Sequence, residues 1–206
     1  MNDSISYIDS WKNKEVFQDQ LALNEKELNH YPDHWKSFVG IVSYIDPPPQ
    51  SILDVGCGAG VFFEICRRHF PDIKYTGVDY AEEAIQLASS KWPNSEFYVK
   101  DYKDLIPGDA KKYDLLHTGA LLDVLPNGDE ALSFLLGLGF RYIILGRVKI
   151  TEKASGFVEY EAYNKIRTYA YSHNIKTLGT LFGEAGYSAT FTGENNSCTI
   201  LLQKIQ

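Results

Sequence analysis

Residues 52–60 read Ile-Leu-Asp-Val-Gly-Cys-Gly-Ala-Gly, and the rest of the chain is organised around them. Ile52, Leu53 and Val55 form a short apolar run suited to a strand buried on both faces of a parallel sheet. Gly56, Gly58 and Gly60 follow at every second position, and a helical apolar pattern begins at Val61. Glycine there lets the chain turn tightly and lets a ligand approach main-chain atoms. A strand, a glycine turn and a helix N-terminus together build a nucleotide-binding crevice. Asp54 sets a carboxylate just before the turn, where it would repel a phosphate and welcome a cation. A dinucleotide-binding turn would read G-x-G-x-x-G, whereas here Val61 stands where the third glycine belongs.

Working outward, Val61 to Phe70 reads as a helix that Pro71 ends, and Lys74 to Asp79 as a second strand. Asp79 lies about 20 residues beyond the glycines, where a carboxylate can accept both hydroxyls of a ribose. Facing a crevice, it is expected to be unpacked. Ala81 to Lys91 is helical, and Glu96 to Lys100 is a third strand followed directly by Asp101 and Tyr102. Tyr113 to His117 gives a fourth strand, a turn and helix run through Leu125–Leu138, and Arg141 to Arg147 gives a fifth strand. This alternation implies a parallel sheet with helices on both faces. Asp54, Asp79 and Asp101 end or follow its first three strands, so all three point into one crevice at the carboxyl edge.

On these residues the chain resembles the class I S-adenosylmethionine-dependent methyltransferases, whose first motif is an acidic residue followed by the same G-x-G-x-G spacing. The resemblance covers roughly Ser51 to Gln203. It implies an α/β, Rossmann-like, doubly wound seven-stranded sheet, mostly parallel with a C-terminal antiparallel hairpin, plus N-terminal helices. The positions of Asp54, Asp79 and Asp101 hold, in that family, the methionine end, the ribose hydroxyls and the adenine amino group of S-adenosylmethionine. By the same resemblance Gly56, Cys57, Gly58 and Gly60 form the turn against the cofactor. Tyr80 and Tyr102 are candidates to pack on the adenine, and His117 is a candidate to border the cofactor. The product is S-adenosylhomocysteine. After His117 the chain reads Thr-Gly-Ala-Leu, without the Asn/Asp-Pro-Pro-aromatic motif used on amino groups of bases. No Pro-Cys pair offers a thiolate for a cytosine ring, and no acidic-histidine cluster suggests a metal. An oxygen or nitrogen of a small molecule or glycan precursor remains as methyl acceptor.

His117 ends the fourth strand, where the methyl group is expected, and a histidine accepts a proton near neutral pH. His34 and His173 are its rivals, and Arg147, ending the fifth strand, suits a carboxylate or phosphate. Residues 1–46 carry Tyr7, Trp11, Phe17, Tyr31, Trp35, Phe38 and Tyr44, with a helix from His34 to Ile45 whose first turn admits Pro32. They form an N-terminal helical cap or lid, and 47–206 form the cofactor-binding domain. Residues 157–173 mix aromatics and charges without clean periodicity. The expectation is that 1–35 and 157–173 together close an aromatic acceptor pocket, with Trp11, Tyr31, His34 and Tyr171 against the substrate. Plain core packing of these aromatics is the alternative. Asn174 then caps a helix that Gly186 closes, and 188–192 with 198–203 form the last hairpin.

Net charge is −7, which disfavours a nucleic-acid footprint. Three cysteines in no metal spacing suit a reducing compartment, and no apolar run reaches membrane-spanning length. A cytoplasmic monomer or homodimer acting on a small molecule, without nucleic acid or membrane, is expected. An NAD-dependent oxidoreductase and a non-catalytic binding protein are the competing readings.

Overall fold

The computed structural model describes residues 10–193 and 197–205. Tyr7 and the middle of the Gly193–Ser197 loop lie outside them. Five parallel strands, β1 (Ser51–Val55), β2 (Lys74–Asp79), β3 (Glu96–Val99), β4 (Leu115–Thr118) and β5 (Tyr142–Val148), alternate with helices. β6 (Ile150–Thr151), β7 (Gly156–Ala162) and β8 (Ile166–Asn174) form a separate three-stranded sheet in the order β6-β8-β7. β9 (Tyr187–Thr192) and β10 (Cys198–Lys204) close the main sheet, whose order is β3-β2-β1-β4-β5-β10-β9. β10 runs antiparallel to both neighbours. The seven-stranded, doubly wound architecture is therefore the one expected.

Residues alternate in facing along β1, and the core divides accordingly. Leu53 and Val55 join Leu116, Leu132, Leu135, Phe140, Ile143 and Phe182 under α5 (Gly128–Gly137) and α6 (Ile175–Glu184). Ile52 joins Trp35, Phe38, Ile65, Tyr75, Leu115 and Ile144 under α2 (Asp33–Tyr44) and α3 (Val61–His69). α4 (Glu82–Lys91) packs beside β2 and β3. Pro32 stands at the N-cap of α2, and the Asn174 side chain caps α6 by accepting from Lys176 N and Thr177 N, both at 3.0 Å. The helix expected from Leu125 starts only at Gly128. Pro126 restricts the residue before it to extended backbone, and Leu125 is extended accordingly.

Two elements were not legible in the sequence. α1 (Lys14–Glu27) is capped by Asn13, which accepts from Glu15 N at 3.0 Å and Val16 N at 3.3 Å. Residues 157–173 are a β-hairpin, not irregular chain. Six of the seven β7 residues are exposed, so there is no inward-outward alternation to read. The turn places Tyr163 and Asn164 at φ 54° and 52°, without the glycine that usually marks such a turn. α1 rests on this hairpin and on α4. Val16 packs with Ala162 and Ile166, Phe17 with Ala81 and Ala84, and Trp11 Nε1 donates to Thr168 Oγ1 at 2.9 Å. No described helix is long and apolar enough to cross a membrane.

These two small clusters hold α1 far less firmly than the main core holds the sheet. Amides of Lys14–Glu27 should therefore exchange with deuterium faster than those of Ile52–Val55. Val16→Ala, removing two buried methyl groups, should weaken the docking by about 1–2 kcal/mol and speed exchange in α1 alone. Equal protection of α1 and β1 would make α1 ordinary core.

Candidate functional site

The strand order reverses between β1 and β4, and a crevice opens at their carboxyl ends, as such sheets require. It holds about 1090 Å³ of space, part of it open to solvent. Val55, Gly56 and Gly58 form its floor. Asp79 and Tyr80 stand at the end of β2, Lys100, Asp101 and Tyr102 follow β3, and Arg147 ends the last parallel strand. Leu121, Val124 and Leu125 come from the loop after β4. The roof is built from both chain segments flanking the sheet: Trp11, Phe17 and Gln20 from the N-terminal side, Tyr160 and Tyr163 from the hairpin.

The glycine turn is shaped by its own backbone and by one carboxylate. Gly56, Gly58 and Gly60 all have positive φ, at 74°, 53° and 78°. A Cβ on Gly60 would meet Phe97 Cζ at 2.5 Å, so only glycine seats the turn against β3. Gly56 N and Cys57 N donate to Val78 O at 2.8 and 3.1 Å. Asp79 Oδ2 accepts from Gly58 N at 2.9 Å and Oδ1 from Ala81 N at 3.0 Å. Contrary to the expectation of an unpacked side chain, Asp79 is only 7% exposed and pins the turn to β2. Burial pushes its carboxyl up to about 6, against the lowering effect of the two amides. Gly60 is the N-cap of α3, and no side chain caps that N-terminus.

Residues 52–135 match the family described as a methyltransferase domain. That stretch, with the glycine turn and the end of β2, is similar to the methyltransferase domain. Over 90 residues the chain is 29% identical to a malonyl-[acyl-carrier protein] O-methyltransferase from Halalkalibacterium halodurans, covering 41% of this chain and 33% of that one. The matched part thus spans about a third of that relative's length. In fold it is similar to Streptomyces venezuelae DesVI, with a TM-score of 0.65, 14% identity, and 94% and 99% of the two chains covered. It is likewise similar to the sugar N-methyltransferase KedS8 from Streptoalloteichus, with a TM-score of 0.63, 12% identity, and 90% and 93% covered.

The crevice brings together Trp11, Gly56, Gly58, Asp79, Tyr80, Asp101, Tyr102 and Arg147 of the residues expected there. It does not bring in the others. Asp54 is fully buried beneath the turn, accepting from the Tyr75 hydroxyl on one oxygen and meeting His117 Nδ1 at 2.8 Å on the other. His117 is 1% exposed, its ring 4.7 Å from Phe38 and 4.2 Å from Phe62, so it faces α2 and α3. It supports Asp54 and has no exposed face toward an acceptor. Cys57 is buried, and its thiol is pushed well up by burial and then by Asp79 and Asp54. Gly60 turns away to α3. His173 is wholly buried with Nδ1 2.6 Å from Asp129 Oδ1, and burial pushes its pKa down. Tyr171 packs on His173 and on Gly128, where a Cβ would come within 2.6 Å of its ring. Both belong to the joint between β8 and α5. Tyr31 sits edge-on to Trp35 and His69. His34 packs on Trp35, and burial followed by the Arg147 charge pushes it down to about 4, so it is neutral at pH 7.

Phe17, Gln20, Leu121 and Val124 were missed. Gln20 Oε1 accepts from Ala59 N at 3.4 Å, a contact between residues 39 apart that no local pattern announces. Arg147 occupies its place through a β-bulge. Leu145 pairs with Ile200 and Val148 with Cys198, so Gly146 and Arg147 together oppose Thr199. Arg147 takes φ 58°, a conformation that costs a residue with a Cβ about 1–2 kcal/mol. A Cβ on Gly146 would lie 2.9 Å from Gly119 O, so the bulge requires glycine beside the arginine.

Removing the Asp54 carboxylate leaves the Tyr75 hydroxyl and His117 Nδ1 buried without their partner. Asp54→Ala should cost about 2–5 kcal/mol of folding stability in urea titration. A loss under 0.5 kcal/mol would show that the buried network carries no weight.

Proposed function

We propose that this protein is an enzyme that transfers the methyl group of S-adenosylmethionine to an oxygen or nitrogen of a small molecule or glycan precursor. The observation that carries the reading is Asp79: a nearly buried carboxylate at the end of β2, fixed by two backbone amides and still lining the crevice. Its remaining lone pairs suit two vicinal hydroxyls. Gly56 and Gly58 leave the floor open to close approach, Asp101 offers an acceptor for an amino group, and Tyr80 and Tyr102 offer ring faces. When bound, the cofactor supplies a methyl carbon activated by its sulfonium. The chain's own residues then have to orient an acceptor in line with that carbon and keep water out, since alignment supplies much of the rate.

Residues 1–46 act in this reading as a cap whose Trp11, Phe17 and Gln20 roof the crevice, with 47–206 as the cofactor-binding domain. Trp11, Tyr160 and Tyr163 suit a compact, partly apolar acceptor better than a polymer. The similarity to a sugar N-methyltransferase and to an acyl-carrier-protein O-methyltransferase supports both nitrogen and oxygen as acceptor atoms. Three buried cysteines, none of them in a disulfide among the described residues, support a cytoplasmic setting.

A thermal-shift comparison tests the reading. S-adenosylhomocysteine should raise the melting point and NAD should not; the reverse result would overturn it. The affinity should also depend on pH with a definite sign. Hydroxyl donors bind the ionised Asp79, whose carboxyl in the free protein gains its proton as pH falls through about 6. Calorimetry should therefore find S-adenosylhomocysteine affinity level above pH 7 and about tenfold weaker at pH 5. Asp79→Asn should bind weakly at both pH values, with no such slope.

A further inference from the structure

The crevice is electrically divided. Asp79 and Asp101 stand over β2 and β3, while Arg147 stands at the end of β5. Strands lie about 4.8 Å apart, so three strand intervals put Arg147 roughly 14 Å from the β2 end. Lys100, another cation of the crevice, is tied to Asp109 at 3.1 Å. Arg147 has no ion pair within 4 Å among the described residues. Asp123 and Glu27 feel its charge without reaching that distance, and His34 beside it is neutral at pH 7. Tyr160 and Tyr163 line the same end as protonated phenols, their pKa values raised chiefly by burial.

The β-bulge at Gly146–Arg147 is what sets the guanidinium there. Bulges re-aim side chains next to sites, and a non-glycine residue in the left-handed region persists only where the surroundings hold it. A guanidinium with no ion pair among the described residues, at the end of the crevice away from Asp79 and Asp101, offers its charge to an anion. A planar guanidinium also matches the two-oxygen geometry of carboxylate and phosphate.

We propose that Arg147 binds an oxyanion of the methyl acceptor, so that the substrate carries a carboxylate or phosphate group beside its nucleophilic oxygen or nitrogen. This rests on the methyl-transfer reading. Trp11, Tyr160 and Tyr163 form the apolar and hydrogen-bonding wall around the rest of that molecule.

The test uses the full chain saturated with S-adenosylhomocysteine, titrated at constant ionic strength with succinate in one arm and inorganic pyrophosphate in the other. One of the two should bind in the millimolar range, which tells a carboxylate acceptor from a phosphorylated one. Arg147→Gln should weaken that binding at least tenfold, and Arg147→Lys should retain part of it, with melting points near wild type. S-adenosylhomocysteine affinity of both variants should stay within twofold of wild type. The proposal is overturned if neither anion binds, if Arg147→Gln leaves anion binding unchanged, or if it weakens S-adenosylhomocysteine tenfold, which would assign Arg147 to the cofactor's carboxylate. Failure of the wild type to bind S-adenosylhomocysteine at all overturns the methyl-transfer reading itself, and this proposal with it.

Discussion

A carboxylate without access to water lies at the centre of the sheet. Asp54, on β1, takes one hydrogen bond from Tyr75 of β2 and meets His117 of β4, its direct partner in register. A buried carboxyl group is tolerated only where each oxygen has a partner, and here both neighbouring strands supply one. Three strands are thereby held in one alignment immediately below the glycine turn. Everything above depends on that alignment: the turn is pinned to the end of β2 through Asp79, and α3 starts from its last glycine.

The turn and the roof are different kinds of structure. The floor is rigid because its φ angles, its amides and its contact with Phe97 allow only one arrangement. The roof consists of α1 and the β7–β8 hairpin, joined by Val16, Ala162, Ile166 and the Trp11–Thr168 hydrogen bond. Surface ion pairs of Lys165 with Glu15 and Asp19 add little to that joint. A rigid floor under a lightly held roof is an arrangement that can admit and enclose a ligand.

Charge follows the same division. The chain carries a net −7, and its crevice places Asp79 and Asp101 on one side. On the other side the backbone is kinked at Gly146–Arg147, which brings a positive group to the tyrosine-lined end.

Ile52–Gly60 and the acidic residues at Asp79 and Asp101 determined the doubly wound sheet and the crevice at its carboxyl edge from sequence alone. They did so because a buried parallel strand, a positive-φ turn and a helix start each demand residue types that are local in the chain. Residues whose roles depend on what packs across from them were decided only by the tertiary structure. His117 has the right chemistry and the right strand, yet Phe38 and Phe62 close over it. His173 and Tyr171 turn toward α5, and β7 of the hairpin is hard to read because six of its seven residues are exposed. Gln20 reaches the turn from a helix 39 residues away, and Arg147 enters the crevice through a bulge set by its pairing with β10. Local conformational demands are written in neighbouring residues; the direction in which a side chain finally faces is set by elements that meet only when the chain has folded.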